Sequence, residues 1–242
     1  MGVRPRALWR DPTLRPVATA SFTLSLAVGV FAVSFGVGSV AAGASVLQTC
    51  ALSVFVFTGA SQFSAMSVIG AGGTVASALG GALLLAARNA VYGLRLSRLL
   101  PGSLGMRLLA AQFTIDETTA MAAAQQDEEV QRAAFWMTGA MLFTFWNTGT
   151  LIGALAGSAI DPQTFGLDAA FPAGYVAMVW PLLRTERGRW AGLLGGAICL
   201  ALVPITPVGV PILCAATAVV VGLPAPRNPA DLHAPAPGGS ST

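Results

Sequence analysis

The sequence predicts an all-α fold: a polytopic transmembrane helix bundle of about eight segments, with seven the main alternative and at least one helix broken. Three observations carry this. The 242-residue chain is 55% hydrophobic and 10% charged, whereas soluble domains carry about 25% charged residues. So few charges could not cover the surface of a soluble fold, and the mean hydropathy of +0.71 agrees. Residues 16–87 contain no charge at all, and apolar runs of about the length of a membrane span recur along the chain.

Every basic residue is Arg. Arg4, Arg6, Arg10 and Arg15 precede the first apolar run, so residues 1–16 read as a basic cytoplasmic segment and not as a nucleic-acid surface. The first run, residues 17–42, is too long for the core of a signal peptide, and more runs follow. A Gly-Ala-Ser turn separates it from residues 46–69, and a glycine cluster separates those from a third run over residues 74–100. A weaker fourth covers 107–124, and the polar QQDEEVQR, residues 125–132, reads as a loop. The fifth run is 133–160 and the sixth 169–183, with the DPQTFGLD loop between them. After RTERGR, residues 184–189, the stretch 190–223 holds two short spans broken by PITPVGVP. Residues 17–223 thus form the membrane domain. Residues 224–242, rich in Pro, Ala and Gly, read as a disordered tail, which contains His233, the only His.

Simple alternation through eight spans keeps both Arg clusters cytoplasmic but leaves the loop with Arg98 and Arg107 outside, against the positive-inside rule. Either that loop is an exception, or one segment does not cross simply. The second and fourth segments hold the most polar residues and are the suspects. Cys50, Cys199 and Cys214 lie in apolar runs and read as buried small hydrophobes. No Walker loop, HExxH, CxxC or GxSxG is present, so no enzyme, cofactor or metal is expected.

Four stretches carry polar chemistry inside apolar runs. FTGASQFSA, residues 57–65, places Gly59, Ser61 and Gln62 together. These residues suit tight helix packing with interhelical hydrogen bonds. They equally suit a helix broken near Gly59 to Gln62, with Gln62 satisfying freed backbone groups. AARNAVYG places Arg88 in mid-segment, where a charge costs at least about 2.5 kcal/mol. Arg88 shares a helical face with Tyr92, with Asn89 beside it; a structural ion pair or snorkelling is the alternative. In AQFTIDETTA, Gln112, Asp116 and Thr119 fall on one face, with Glu117 adjacent. The two carboxylates could neutralise Arg88, carry protons, or mark a helix end near water. FWNTGTLIGALAG spaces Gly149, Gly153 and Gly157 four apart, a face for close helix packing, and Trp146, Asn147 and Thr148 just before could line a cavity. Trp180 and Trp190 suit interfacial anchoring.

FTGASQF, ARNAVYGLRL, FTIDETTAMA and WNTGTLIGALAG followed by DPQTFGLDAAFPA occur in this order. The set resembles the AzlC-type branched-chain amino acid permeases, over about residues 15–184. The resemblance implies the large subunit of a two-component exporter of branched-chain amino acids in the cell membrane, with a small membrane partner of the AzlD type. Position by position, a small-residue-Gln-Phe element falls on Gly59, Ala60, Ser61, Gln62 and Phe63. Arg88 is kept, but Ala86 stands where the family often has Asn and Asn89 where it often has His; Tyr92 and Gly93 match, and the acidic pair is Asp116 and Glu117. The candidate substrate-binding set, read from the residues and the resemblance together, is Gly59, Ser61, Gln62, Arg88, Asn89, Tyr92 and Asn147. Arg88 would take a carboxylate, and Asp116 or Glu117 an ammonium. With the only His in the tail, the candidate proton-coupling groups are Asp116 and Glu117, with Asp116 preferred because it shares a face with Gln112 and Thr119. The rival class is a channel or a non-transporting membrane subunit, in which these residues only hold helices together.

Overall fold

A chain with long uncharged runs must satisfy its backbone internally, and glycine turns decide where each run stops. In the computed structural model, which describes residues 12–159, 176, 179, 180 and 182–222, all regular structure among the described residues is helical. The basic residues Arg4 to Arg10, most of the sixth run and the tail with His233 lie outside the described residues.

Helix α1, Leu14–Ala41, fills the first apolar run. Gly43, at φ 95°, turns the chain. Ser45 and Gln48 then form a capping box that starts α2, Val46–Phe55, through Gln48 N–H to Ser45 Oγ (3.2 Å) and Ser45 N–H to Gln48 Oε1 (2.8 Å). After four residues α3 follows, Ala60–Gly70. Gly72, at φ 79°, makes the next turn, and Thr74 caps α4, Val75–Leu96. Two short helices, α5 (Leu104–Gln112) and α6 (Asp116–Ala123), precede the 32-residue α7, Glu128–Ala159. Beyond the undescribed stretch come a 3-10 turn at Leu182–Arg184, α8 (Glu186–Leu202), α9 (Val210–Ala215), a second 3-10 turn at Ala216–Ala218 and α10 (Val219–Gly222). Two helices, α1 and α4, are long and apolar enough to cross a membrane by length and composition.

The second and fourth runs are not continuous spans. Each is a helical hairpin that turns back to the end from which it enters. In the first, Gly70 at the end of α3 sits against Ala42, which caps the end of α1 four residues before α2; a Cβ on Gly70 would lie 2.9 Å from that of Ala42. A straight helix from residue 46 to 70 would carry Gly70 over 30 Å away. In the second, Ala110 of α5 and Ala122 of α6 share one buried cluster with Leu96 at the end of α4 and Phe135 near the start of α7. The hairpins enter from opposite ends. Their tips meet where Gln112 Nε2 donates to the Val54 carbonyl at 2.8 Å and the rings of Phe57 and Phe113 stand 6.4 Å apart, edge to face.

The long helices frame the hairpins. α1 and α7 run parallel, because Gly29, Val33 and Val37 lie opposite Gly149, Gly153 and Gly157 in the same order. A Cβ on Gly149 would strike the Gly29 carbonyl oxygen, one on Gly153 that of Val33, and one on Gly36 that of Thr150. The GxxxGxxxG face is therefore a seam where two backbones touch. Hydroxyls lock α7 to its neighbours, Ser21 with Thr138 at 2.8 Å and Ser53 to Thr150 at 3.2 Å. Val17 and Ala18, near the start of α1, pack on Ala134 and Met137 near the start of α7. Met121 near the end of α6 joins them, so the start of α1, the end of α4 and the start of α7 share one end of the molecule.

Three expectations change. The helix break lies at 56–59 and so meets the expected Gly59 to Gln62 at Gly59 alone: Gly59 caps α3, and Ala60, Ser61 and Gln62 are already helical. The polar QQDEEVQR is helical from Glu128, where Asp127 Oδ1 accepts from the N–H groups of Glu129 and Val130. Gln112, Asp116 and Thr119 do not share a helical face, because residues 113–115 break the helix between them. The stretch 190–223 does divide near its Pro-rich middle, into α8 and the short α9 and α10.

Candidate functional site at the hairpin tips

A broken helix inside a bundle exposes backbone groups that need partners. At the first tip Gly59, at φ 61° and ψ −85°, adopts a conformation that favours glycine. Gln62 closes this break from both sides: its Oε1 accepts from Gly59 N–H at 3.0 Å and its Nε2 donates to the Leu52 carbonyl at 3.1 Å. The second tip repeats the arrangement with Thr118, also in the first turn of its helix. The Thr118 hydroxyl donates to the Phe113 carbonyl at 2.6 Å, and its oxygen faces Ile115 N–H at 3.2 Å. Gln62 is fully buried, and Gln62→Leu leaves the part-buried Gly59 N–H unpaired, while the Leu52 carbonyl keeps the N–H of Val56. A loss of about 1–3 kcal/mol is expected for that one group. Thermal unfolding in detergent checks this; a melting temperature equal to wild type would show that the break does not need Gln62.

The tips border a cavity of about 250 Å³. One wall is apolar and aromatic: Ala27, Val28 and Phe31 of α1, Phe57, Ile115 and Leu142. Trp146 of α7 stands behind Gly59, with Phe35 and Phe63 packed on its indole. Polar groups enter from α4 and the hairpin tips: Arg88, Asp116, Glu117, and Thr58 with Gly59. Arg88 and Asp116 form an ion pair at 2.8 Å, with about a third of each side chain exposed. Tyr92, one turn along α4 from Arg88, has its hydroxyl against Asp116. Asp116 and Glu117 open the first turn of α6, where the positive end of the helix favours carboxylates. α3 points its N-terminus toward the same cavity and has no acidic residue in its first turn.

The structure brings Gly59, Arg88, Asp116 and Glu117 to this cavity and places Tyr92 beside them. Ser61 and Gln62 lie behind the tip, fully or almost fully buried. Neither Asn89 nor Asn147 lines the cavity; Asn147 Nδ2 donates to the Phe143 carbonyl at 2.8 Å. Phe31, Phe57 and Leu142 were not singled out from sequence, since an apolar residue in an apolar run carries no mark. The second tip did carry a mark: an Asp-Glu pair is a helix-start signal.

These features lie within residues 23–160, which match the family model described as AzlC protein. The chain belongs to the AzlC family. The match covers more than half of the chain, from α1 through α7, and α8 to α10 lie beyond it. A protein of Helicobacter pylori strain 26695, described as an uncharacterized membrane protein, is 27% identical over 188 residues, 74% of this chain and 82% of the relative. One from strain J99, described in the same words, is 27% identical over 157 residues, 62% of this chain and 68% of the relative. No solved structure matches the AzlC chain. Membership, membrane-protein relatives and the apolar helices together make it a membrane protein of a transporter family.

Proposed function

We propose that the protein is a secondary transporter that exports branched-chain or other small apolar amino acids across the cell membrane, coupled to protons and working with a small AzlD-type membrane partner. The observation that carries this is the cavity between two oppositely entering hairpin tips, apolar on one side and bearing one ion pair on the other. Broken helices whose ends converge on a cavity are how transporters present dipoles and polar groups at mid-membrane depth. The volume suits one small molecule, and an apolar wall beside charged groups suits a zwitterion with an apolar side chain.

Topology supports the reading. With the hairpins turned back, the crossing helices within residues 14–159 are α1 and α4, the two that are long and apolar enough, with α7 packed along α1 as the third. Arg15, Arg98 and Arg107 then stand at one end, which the positive-inside rule makes cytoplasmic. Protons suit the site better than a metal cation. The Leu52, Val54 and Phe113 carbonyls at the breaks are taken by Gln62, Gln112 and Thr118. The carboxylates are left to bind a cation, and Asp116, held by Arg88, is the proposed proton carrier.

Efflux of labelled valine, leucine and methionine tests the proposal, in cells with and without the chain and its partner. Saturable efflux that needs the chain and collapses with the proton gradient is expected. Flux that rises linearly with substrate and ignores the gradient would favour a channel, and no change would favour a structural subunit.

A further inference from the structure

Arg88 and Asp116 neutralise each other, so neither is left as a free charge for a ligand, although Arg88 Nε and Asp116 Oδ1 have no hydrogen-bond partner among the described residues. Other groups at the cavity lack such a partner. Trp146 is 3% exposed and lines the cavity, and its Nε1–H donates to nothing among the described residues. An indole N–H can only donate, and a buried donor without an acceptor is costly. The N-terminus of α3, beside the Trp146 ring at Gly59, carries no acidic side chain. Across the cavity, Glu117 on the second hairpin forms no ion pair among the described residues. The site thus has a donor pole on one side, an acceptor pole on the other and an apolar wall between.

We propose that a zwitterionic amino acid binds across the two hairpin tips, its carboxylate on Trp146 Nε1 and the α3 N-terminus and its ammonium on Glu117. Its side chain lies against Phe31, Phe57 and Leu142. A half-helix N-terminus favours a carboxylate, and a charge-assisted hydrogen bond from the indole adds direction. Bound this way, the substrate ties one hairpin to the other, so its arrival and departure act on both tips. Arg88 and Asp116 stay free of the substrate. The assignment rests on the transporter function proposed above.

Titration calorimetry on the purified full chain in detergent tests it with three probes: leucine, isoamylamine, which lacks the carboxylate, and isocaproate, which lacks the ammonium. Wild type is expected to bind leucine at least about tenfold more tightly than either analogue, the value of one charge-assisted hydrogen bond. Trp146→Phe is expected to weaken leucine and isocaproate about tenfold and leave isoamylamine unchanged. Glu117→Gln is expected to weaken leucine and isoamylamine and leave isocaproate unchanged. Equal weakening of all three probes by Trp146→Phe, or of none, overturns the assignment. If Trp146→Phe does not fold, the wild-type series decides: isocaproate bound as tightly as leucine overturns it. Wild type that binds leucine with the wrong variant pattern sinks this assignment alone, whereas folded wild type that binds none of the probes sinks the transporter reading with it.

Discussion

Asp116→Asn is expected to abolish gradient-driven efflux, reducing it to the level of cells without the chain, while exchange of labelled for unlabelled substrate continues. A proton-coupled carrier needs a group that gains a proton on one side of the membrane and loses it on the other. Asp116 is held at 2.8 Å by Arg88, with the Tyr92 hydroxyl alongside. Protonating Asp116 would break that pair, so one proton removes one charge at the hairpin tip and leaves the Arg88 charge without its partner. Asparagine keeps the shape and removes the titration. It also leaves Arg88 unpaired, which for a buried pair costs about 3–5 kcal/mol and less here, where both side chains are partly exposed. The double variant Arg88→Gln with Asp116→Asn removes that cost and should be folded yet uncoupled. Glu117→Gln should keep the gradient dependence and need more substrate. Efflux and counterflow in proteoliposomes with an imposed pH gradient make the measurement. Full proton-coupled efflux by Asp116→Asn refutes the assignment, and loss of the single variant from the membrane, rescued by the double, makes the residue structural.

Gly153→Leu is expected to remove the folded protein from the membrane. A Cβ at Gly153 runs into the Val33 carbonyl, and Gly149 and Gly36 meet carbonyls in the same seam. Backbone on both sides cannot rotate out of the way as a side chain can. In a bilayer the apolar surface of a helix gains little by leaving lipid for protein, so close backbone packing supplies much of the association. Pushing α1 and α7 apart by a side chain should cost at least about 3 kcal/mol, the upper end for overpacked cores. Gly196→Leu is the control, because a Cβ there meets nothing within 4 Å. Membrane yield and size-exclusion profiles of tagged protein report the outcome; wild-type yield for Gly153→Leu would show that the seam tolerates separation.

Much of the site was legible because a polar residue in an apolar run has few explanations. Arg88 stood alone after 72 uncharged residues, 16–87, and the Asp116–Glu117 pair was the nearest acidic partner along the chain. Their meeting follows from the cost of an unpaired charge. The glycine spacing of α7 was legible for the same reason: three glycines four apart leave one face bare. The position of Gln112 was not. Helical counting placed it with Asp116, but the break at 113–115 sends it across to Val54 instead.

The sequence by itself determined that this is an all-helical membrane protein, where its glycine turns fall, and which few polar residues lie inside it. Those follow from local composition: charge is absent over spans, and glycine allows the left-handed turns at Gly43, Gly59 and Gly72. Only the tertiary structure decided that the second and fourth runs turn back instead of crossing. A hairpin and a span have the same apolar length. They differ in where the far end rests, against Ala42 for one hairpin and beside Leu96 for the other. The same return sets the loop with Arg98 and Arg107 at the end of the molecule that holds the start of α1, where simple alternation had separated them. It also decided that two breaks distant in sequence face each other, because the direction of the chain after a broken helix is set by the neighbours it packs on.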